Sequence, residues 1–309
     1  MADKFNGWVQ IMRGKNSSVT KYDDFGKFVK YAMKNGFKFS YLMNSPKPFS
    51  EKDFKTFKNE FIRLLDYIYE IGIRDIKVSN PQVANLINEY MPNGFNLQVS
   101  TAFELYMIGQ YNNLFKHYPN FNFIDITQGQ NHNFKFLKSL RSAFPDKKLE
   151  LMVNEGCRKD CPARVPHIAE PLFCTYPCDL LGFHNFVKKG NIYPWDLEYY
   201  SAIGINNFKW VVRDNSESIR SNYTDITYLE NYLVCVDKGT DEYSAEFLFA
   251  QILASKMQLN KELALSELIQ YLPDIKHFIA HGHECAVKCG VECNYCELCA
   301  KRTQNFLFG

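Results

Sequence analysis

Nine of the ten cysteines gather in two tight groups, Cys157/Cys161/Cys174/Cys178 and Cys285/Cys289/Cys293/Cys296/Cys299, with Cys235 set apart. Thiolates are soft ligands, and four of them converging from short spacings select zinc or an iron–sulfur cluster over magnesium, calcium or manganese. The first group is two C-x3-C pairs, in NEGCRKDCPARVPH and PLFCTYPC, and it follows the apolar run LELMV, so a strand delivers it. The second, CAVKCGVECNYCELC, carries five thiols, enough to close a site without the rest of the fold. Structural zinc favours C-x2-C knuckles. Cys293, Cys296 and Cys299 have that spacing and the x3 pairs do not. Iron–sulfur is therefore expected for the first group, and either iron–sulfur or zinc for the second. His281 and His283 are further candidate ligands there, but thiolates outcompete imidazole for soft metals, which favours reading both as solvent-exposed or capping imidazoles at the end of the helix LPDIKHFIAHG.

Disulfides are the competing use of so many cysteines. Their usual settings are secretion and small size. The opening MADKFNGWVQIMRGKNSS carries Lys4, Arg13 and Lys15 and lacks the apolar stretch of a signal peptide, so a cytoplasmic setting is expected. A chain of 309 residues also buries enough surface to dispense with crosslinks. Its net charge of +2 gives no broad nucleic-acid surface. The longest apolar runs, LELMV and FKWVV, are too short to span a bilayer.

The elements that must position the thiols read as alternating strands and helices. Strands are expected at Gly7–Met12, Lys38–Met43, Asp75–Val78, Asn96–Val99, Asn122–Ile126, Lys148–Val153 and Asn207–Val212. Between them, FKTFKNEFIRLLDYIYEIG and AFELYMIGQYNNLFKHY repeat apolar residues at helical spacing, the first with Gly72 near its end. Strand–helix alternation argues for a parallel sheet. Seven or eight such units without a glycine-rich phosphate turn fit an α/β TIM-type (βα) barrel better than an open doubly wound sheet. Residues 1–240 are expected to form this barrel with the first cysteine group, and 241–309 a helical, cysteine-rich C-terminal extension.

Barrel chemistry sits at the C-terminal ends of the strands. Those positions read Asn44/Ser45, Ser79/Asn80, Ser100/Thr101, Asp125/Thr127, Asn154/Glu155 and Arg213/Asp214, all polar. Either they ring a pocket, or they cap the helices that follow, and Ser79-Asn80-Pro81 and Ser100-Thr101 are the most cap-like. Glu155, two residues before Cys157, is placed for proton handling. Arg164 and Arg213 are placed to grip anions, and His167 to move a proton or hydrogen-bond a sulfur.

The succession DIKVSNPQ, LQVSTAFE, LELMVNEGCRKDCPARVPH and GINNFKWVVRDNS, from about Asp66 to Tyr232, resembles the peptidase U32 family, the collagenase-like proteins with a barrel core. The Asn-Glu-Gly-Cys run is the most specific part of the likeness. Members of that family include iron–sulfur proteins that hydroxylate without dioxygen, with prephenate implicated as oxygen donor in some. The resemblance implies a 4Fe-4S cluster on Cys157, Cys161, Cys174 and Cys178; a second 4Fe-4S cluster or zinc on the C-terminal group is expected from its cysteine spacing alone. The resemblance further implies a small-molecule oxygen donor, an acceptor substrate of biosynthetic, RNA or peptide type, and a related chain as hetero-oligomeric partner, while the expected catalytic set, Asn154, Glu155, Arg164, His167 and Arg213, comes from strand-end position and side-chain chemistry. The chain departs from the quinone and RNA branches in its cysteine spacing and its added five-Cys segment. The alternative reading is a metal-stapled barrel acting as a peptidase or as a peptide-modifying or sulfur-transfer enzyme. No nucleophile–base pattern supports hydrolysis, and thiols held by a metal cannot serve as free nucleophiles.

Overall fold

The computed structural model describes residues 22–43, 50–154, 192–210 and 225–238. In chain order these form α1 (Tyr22–Lys34), β1 (Ser40–Met43), α2 (Glu51–Glu70), β2 (Asp75–Val78), α3 (Pro81–Tyr90), β3 (Asn96–Val99) and α4 (Ile108–His117). There follow β4 (Phe121–Asp125), α5 (Phe134–Ala143), β5 (Lys148–Met152), α6 (Leu197–Ser201), β6 (Asn207–Lys209) and α7 (Asp225–Lys238). Short 3-10 turns stand at Thr101–Phe103, Gln128–Gln130 and Pro194–Asp196.

The strands lie in the order β1-β2-β3-β4-β5-β6, and the pairs β1/β2, β2/β3, β3/β4 and β5/β6 are parallel. Doubly wound sheets reverse strand order at a switch point. Here spatial order follows chain order without reversal, the succession that consecutive βα units generate. Six of the seven expected strands coincide with observed ones to within two residues at their starts, and β2 and β3 coincide at both ends. The expected Gly7–Met12 strand, the far end of Asn207–Val212 and the boundary at 240/241 lie outside the described residues. Among the described residues no helix is long and apolar enough to cross a membrane.

The described residues belong to two compact units, one containing 22–127 with 146–148, the other 128–145, 149–154 and 192 onward. In the first, successive residues of a strand point to opposite faces. One face carries Ile76, Val78, Leu97, Val99 and Ile124, each no more than 1% exposed. Burial of such side chains is worth about 1.5–3 kcal/mol each. Helices α1 and α2 end where glycine accepts a left-handed backbone: Gly36 at φ 86° and Gly72 at φ 101°. Beyond Gly72 the N–H of Ile73 returns to Ile68 O at 3.1 Å, a Schellman closure that turns the chain directly into β2.

One expected helix divides. AFELYMIGQYNNLFKHY forms a 3-10 turn at Thr101–Phe103 and then α4, because Glu104 between them takes φ 51°. Gln110 begins α4 by accepting from the backbone N–H groups of Tyr106 at 2.8 Å and Met107 at 3.0 Å. These local bonds outweigh the helical spacing of the apolar residues, which would have run through the break.

Candidate functional site

On the other face of β1–β4 the row mixes Leu42 and Phe123 with polar side chains, most of which are buried. Register places Leu42 beside Lys77, Lys77 beside Gln98, and Gln98 beside Phe123. By alternation Ser40, Ser79, Ser100 and Asp125 share that row. Lys77 extends from β2 past Gln98 on β3, a distance of about 10 Å between strands, and its Nζ meets both carboxylate oxygens of Asp125 on β4 at 2.6 Å. The two side chains are 6% and 2% exposed. Replacing a buried ion pair with apolar side chains of similar volume is often neutral or stabilising, so stability alone gives no reason for this one.

Around the pair lie neutral groups. Ser40 Oγ donates to Gln98 Oε1 at 2.9 Å. Ser79 Oγ is buried, and among the described residues it has no partner. Tyr111, wholly buried on α4, donates to Leu105 O at 3.4 Å. Burial, and then the nearby Asp125 carboxylate, push its hydroxyl well above the ordinary phenol range.

Capping accounts for two of the strand-end residues. Asn80 Oδ1 accepts from Gln82 N at 2.9 Å at the start of α3, ahead of Pro81. Ser100 Oγ accepts from Ala102 N at 3.3 Å to open the 3-10 turn. Asp125 does something else, since it holds the lysine.

The second unit contains the end of β5, from which the first cysteine group departs. Asn154 is 3% exposed and forms a β-bridge there. Just before it, Val153 N–H donates to Lys209 O at 3.0 Å. Its carbonyl accepts from Ile192 N at 2.9 Å. Val153 and Ile192 stand on either side of residues 155–191, and this bond joins the described chain just past β5 to the described chain at Ile192. Buried side chains reinforce the junction. Asn131 Nδ2 donates to Met152 O at 2.8 Å, leaving Asn131 Oδ1 without a partner among the described residues. Tyr232 on α7 donates to Ile192 O at 2.9 Å, with Trp210 edge-on to its ring at 5.4 Å. Burial raises the Tyr232 hydroxyl far above its usual range, with Asp196 and then Cys235 adding to the shift. Tyr200 OH and His132 Nδ1 are 3.1 Å apart, and Tyr193 stacks on Trp195 at 4.8 Å and 2°.

Of the residues expected to do chemistry, Asn154 is described and stands buried at this junction. Glu155, Arg164, His167, Arg213, Cys157, Cys161, Cys174, Cys178, Cys285, Cys289, Cys293, Cys296 and Cys299 lie outside the described residues. Cys235, the cysteine set apart, is buried on α7. Among the described residues no group of three or more His, Cys, Asp or Glu side chains is placed to hold a metal ion. Lys77, Gln98, Asn131 and Tyr232 were not singled out from the sequence. The signal for the first two was legible: in DIKV and NLQV a long polar side chain alternates with Ile/Val or Leu/Val, which puts it on the face opposite the apolar row. No family model, curated protein or solved structure matches the chain.

Proposed function

We propose that the chain is a TIM-type (βα) barrel enzyme of the peptidase U32 type, carrying an iron–sulfur cluster and catalysing oxygen insertion without dioxygen. The observation that supports this reading is the clamp between Val153 and Ile192 at the end of β5. It joins the two ends of the segment that contains Cys157, Cys161, Cys174 and Cys178, and so removes part of the loop-closure entropy of bringing four thiolates together. The donor set fits the cluster chemically, because four thiolates are what a 4Fe-4S group requires. When bound, such a group supplies electron transfer or, with an open iron, Lewis acidity toward an oxygen or sulfur.

The chain's own residues have the remaining tasks in this proposal. Glu155 exchanges the proton, Asn154 orients the reacting group, Arg164 and Arg213 hold the carboxylates of a donor such as prephenate, and His167 moves a proton or hydrogen-bonds a sulfur. The overall change balances as a two-electron exchange. The acceptor C–H is oxidised to C–OH, and the donor C–OH is reduced to C–H. The five-Cys segment holds a second 4Fe-4S cluster or zinc, and a related chain and a cytoplasmic, oxygen-poor setting belong to the same reading.

Iron, acid-labile sulfide and zinc per chain, measured after anaerobic purification, test it. About eight irons are expected if both groups carry clusters, and about four if the second holds zinc. Cys157→Ser and Cys174→Ser should each lose the visible absorbance of the first cluster. Zinc without iron would overturn the redox reading.

A further inference from the structure

We infer that the outward flank of α1 and the turn after it, residues 27–38, dock the protein peripherally on an anionic lipid surface. The inference stands on residues of the first unit alone and does not depend on the cysteines. The inner side of α1 is already taken. Val29 and Ala32 are buried, and Gly26 lies so close to α2 that a Cβ there would stand 2.9 Å from Tyr67 Oη and 3.3 Å from Ile71 Cγ2. At about 100° per residue, Lys27, Lys30, Tyr31 and Lys34 fall on the opposite side. All four are exposed. Phe28 is 59% exposed, Tyr31 71% and Phe37 66%, the three most exposed aromatic side chains among the described residues. Single apolar residues scattered on a surface need no explanation, whereas three aromatics within residues 28–37 mark a contact surface.

The charges choose the partner. From Gly26 to Met43 the chain carries Lys27, Lys30, Lys34 and Lys38 and no Asp, Glu or Arg. All four lysines are exposed, and among the described residues none is held in an ion pair. That every cation is a lysine separates the candidates. Nucleic-acid and protein partners favour arginine, whose planar fork pairs with phosphate or carboxylate through two bonds. The diffuse charge of a bilayer surface asks only for point charges on long stems, and lysine stems cover apolar surface while their ammonium groups stay among the headgroups. Aromatic rings such as Tyr31 suit the same interfacial depth. A helix flank is also convex and offers no groove to track a single strand of nucleic acid. Contact of this kind lies on a membrane without crossing it.

Flotation of the full-length chain with vesicles tests this, using phosphatidylcholine alone and phosphatidylcholine with a quarter phosphatidylserine. The chain is expected to float with the anionic vesicles and to stay behind with the neutral ones. Lys30→Gln and Lys34→Gln should each weaken binding about fivefold at low salt, the share of one charge at an anionic surface, and lose that effect as salt rises. Tyr31→Ser should weaken binding at every salt concentration, because burial of the ring is not screened. All three side chains are exposed, so the unfolding midpoint should not move and lost binding will not reflect a damaged fold. Absence of flotation with the anionic vesicles, or flotation unchanged in all three variants, would overturn the docking surface. Equal flotation with neutral vesicles would overturn the role given to charge. A single-stranded oligonucleotide bound through the same lysines, without flotation, would overturn the choice of lipid. Vesicle binding requires no metal, so the iron–sulfur reading stands or falls separately.

Discussion

The two units handle buried polar groups in opposite ways. The first places a charge pair, Lys77 and Asp125, within its sheet face. The second uses uncharged side chains, Asn131 and Tyr232, and gives their hydrogen bonds to backbone carbonyls at Met152 and Ile192. A charge pair costs desolvation and holds side chains in place, whereas an amide or phenol on a carbonyl holds the chain's path. The first arrangement therefore fixes side chains across the sheet face, and the second fixes the path of the backbone at the end of β5.

The contrast is tested most severely at Asp125. Asp125→Ala leaves the Lys77 ammonium buried without its carboxylate and should cost about 3–5 kcal/mol. The double variant Lys77→Met/Asp125→Leu should recover most of that loss in urea unfolding. A cost under about 1 kcal/mol for the single variant would mean that water reaches the pair, as it does for surface ion pairs. The distinction drawn between the units would then fail.

In the second unit, Asn131→Ala strips Met152 O of its donor and should cost about 1–3 kcal/mol. If the junction also anchors the cysteine segment, iron should leave this variant faster than the parent chain when a chelator is added. Loss of stability with unchanged iron release would separate the junction from the metal. Tyr232→Phe should cost about 1 kcal/mol near neutral pH. Its larger signature is alkaline. The folded hydroxyl stays protonated above its ordinary pKa of 10.0, while the unfolded chain ionises there. The stabilisation is thus complete below that pH and is lost as pH rises above it, by about 1.4 kcal/mol per pH unit for one such tyrosine. Tyr232→Phe should remove that share of the slope, and Tyr111→Phe in the first unit should do the same. An unchanged slope would show that the phenol ionises without unfolding.

What the sequence made legible follows from the range of the interactions involved. The strands β2 and β3 are read correctly at both ends because Ile76/Val78 and Leu97/Val99 alternate with polar residues, a signal contained in four residues. The helix broken at Glu104 was missed because its break depends on Gln110 reaching back to two N–H groups, which apolar spacing does not report. The Lys77–Asp125 pair spans 48 positions and two strand spacings. Each partner is visible as a polar residue of a strand, but their meeting depends on sheet register, including the irregularity between Leu97 and Gln98. The Val153–Ile192 clamp was equally hidden, since neither residue has distinctive side-chain chemistry and the bond is between backbone groups.

The smallest expected effect decides what a polar residue at a strand end is for. Asn80 fits both earlier readings, a member of a polar ring or a helix cap, and its Oδ1 accepts from Gln82 N at the start of α3. As a cap it should behave as caps do: Asn80→Ala costs about 1 kcal/mol and Asn80→Gly only a few tenths, because glycine frees the N–H groups to water. Ser79 and Asn80 are adjacent, buried alike and polar alike, so composition cannot separate them. Hydrogen bonding separates them. Asn80 spends its oxygen on the fold, and replacing it costs stability; Ser79 spends its hydroxyl on nothing within the described fold, and Ser79→Ala should gain stability in urea unfolding. Opposite signs of stability at two neighbouring residues are therefore the sharpest form of the comparison, and equal signs would collapse it.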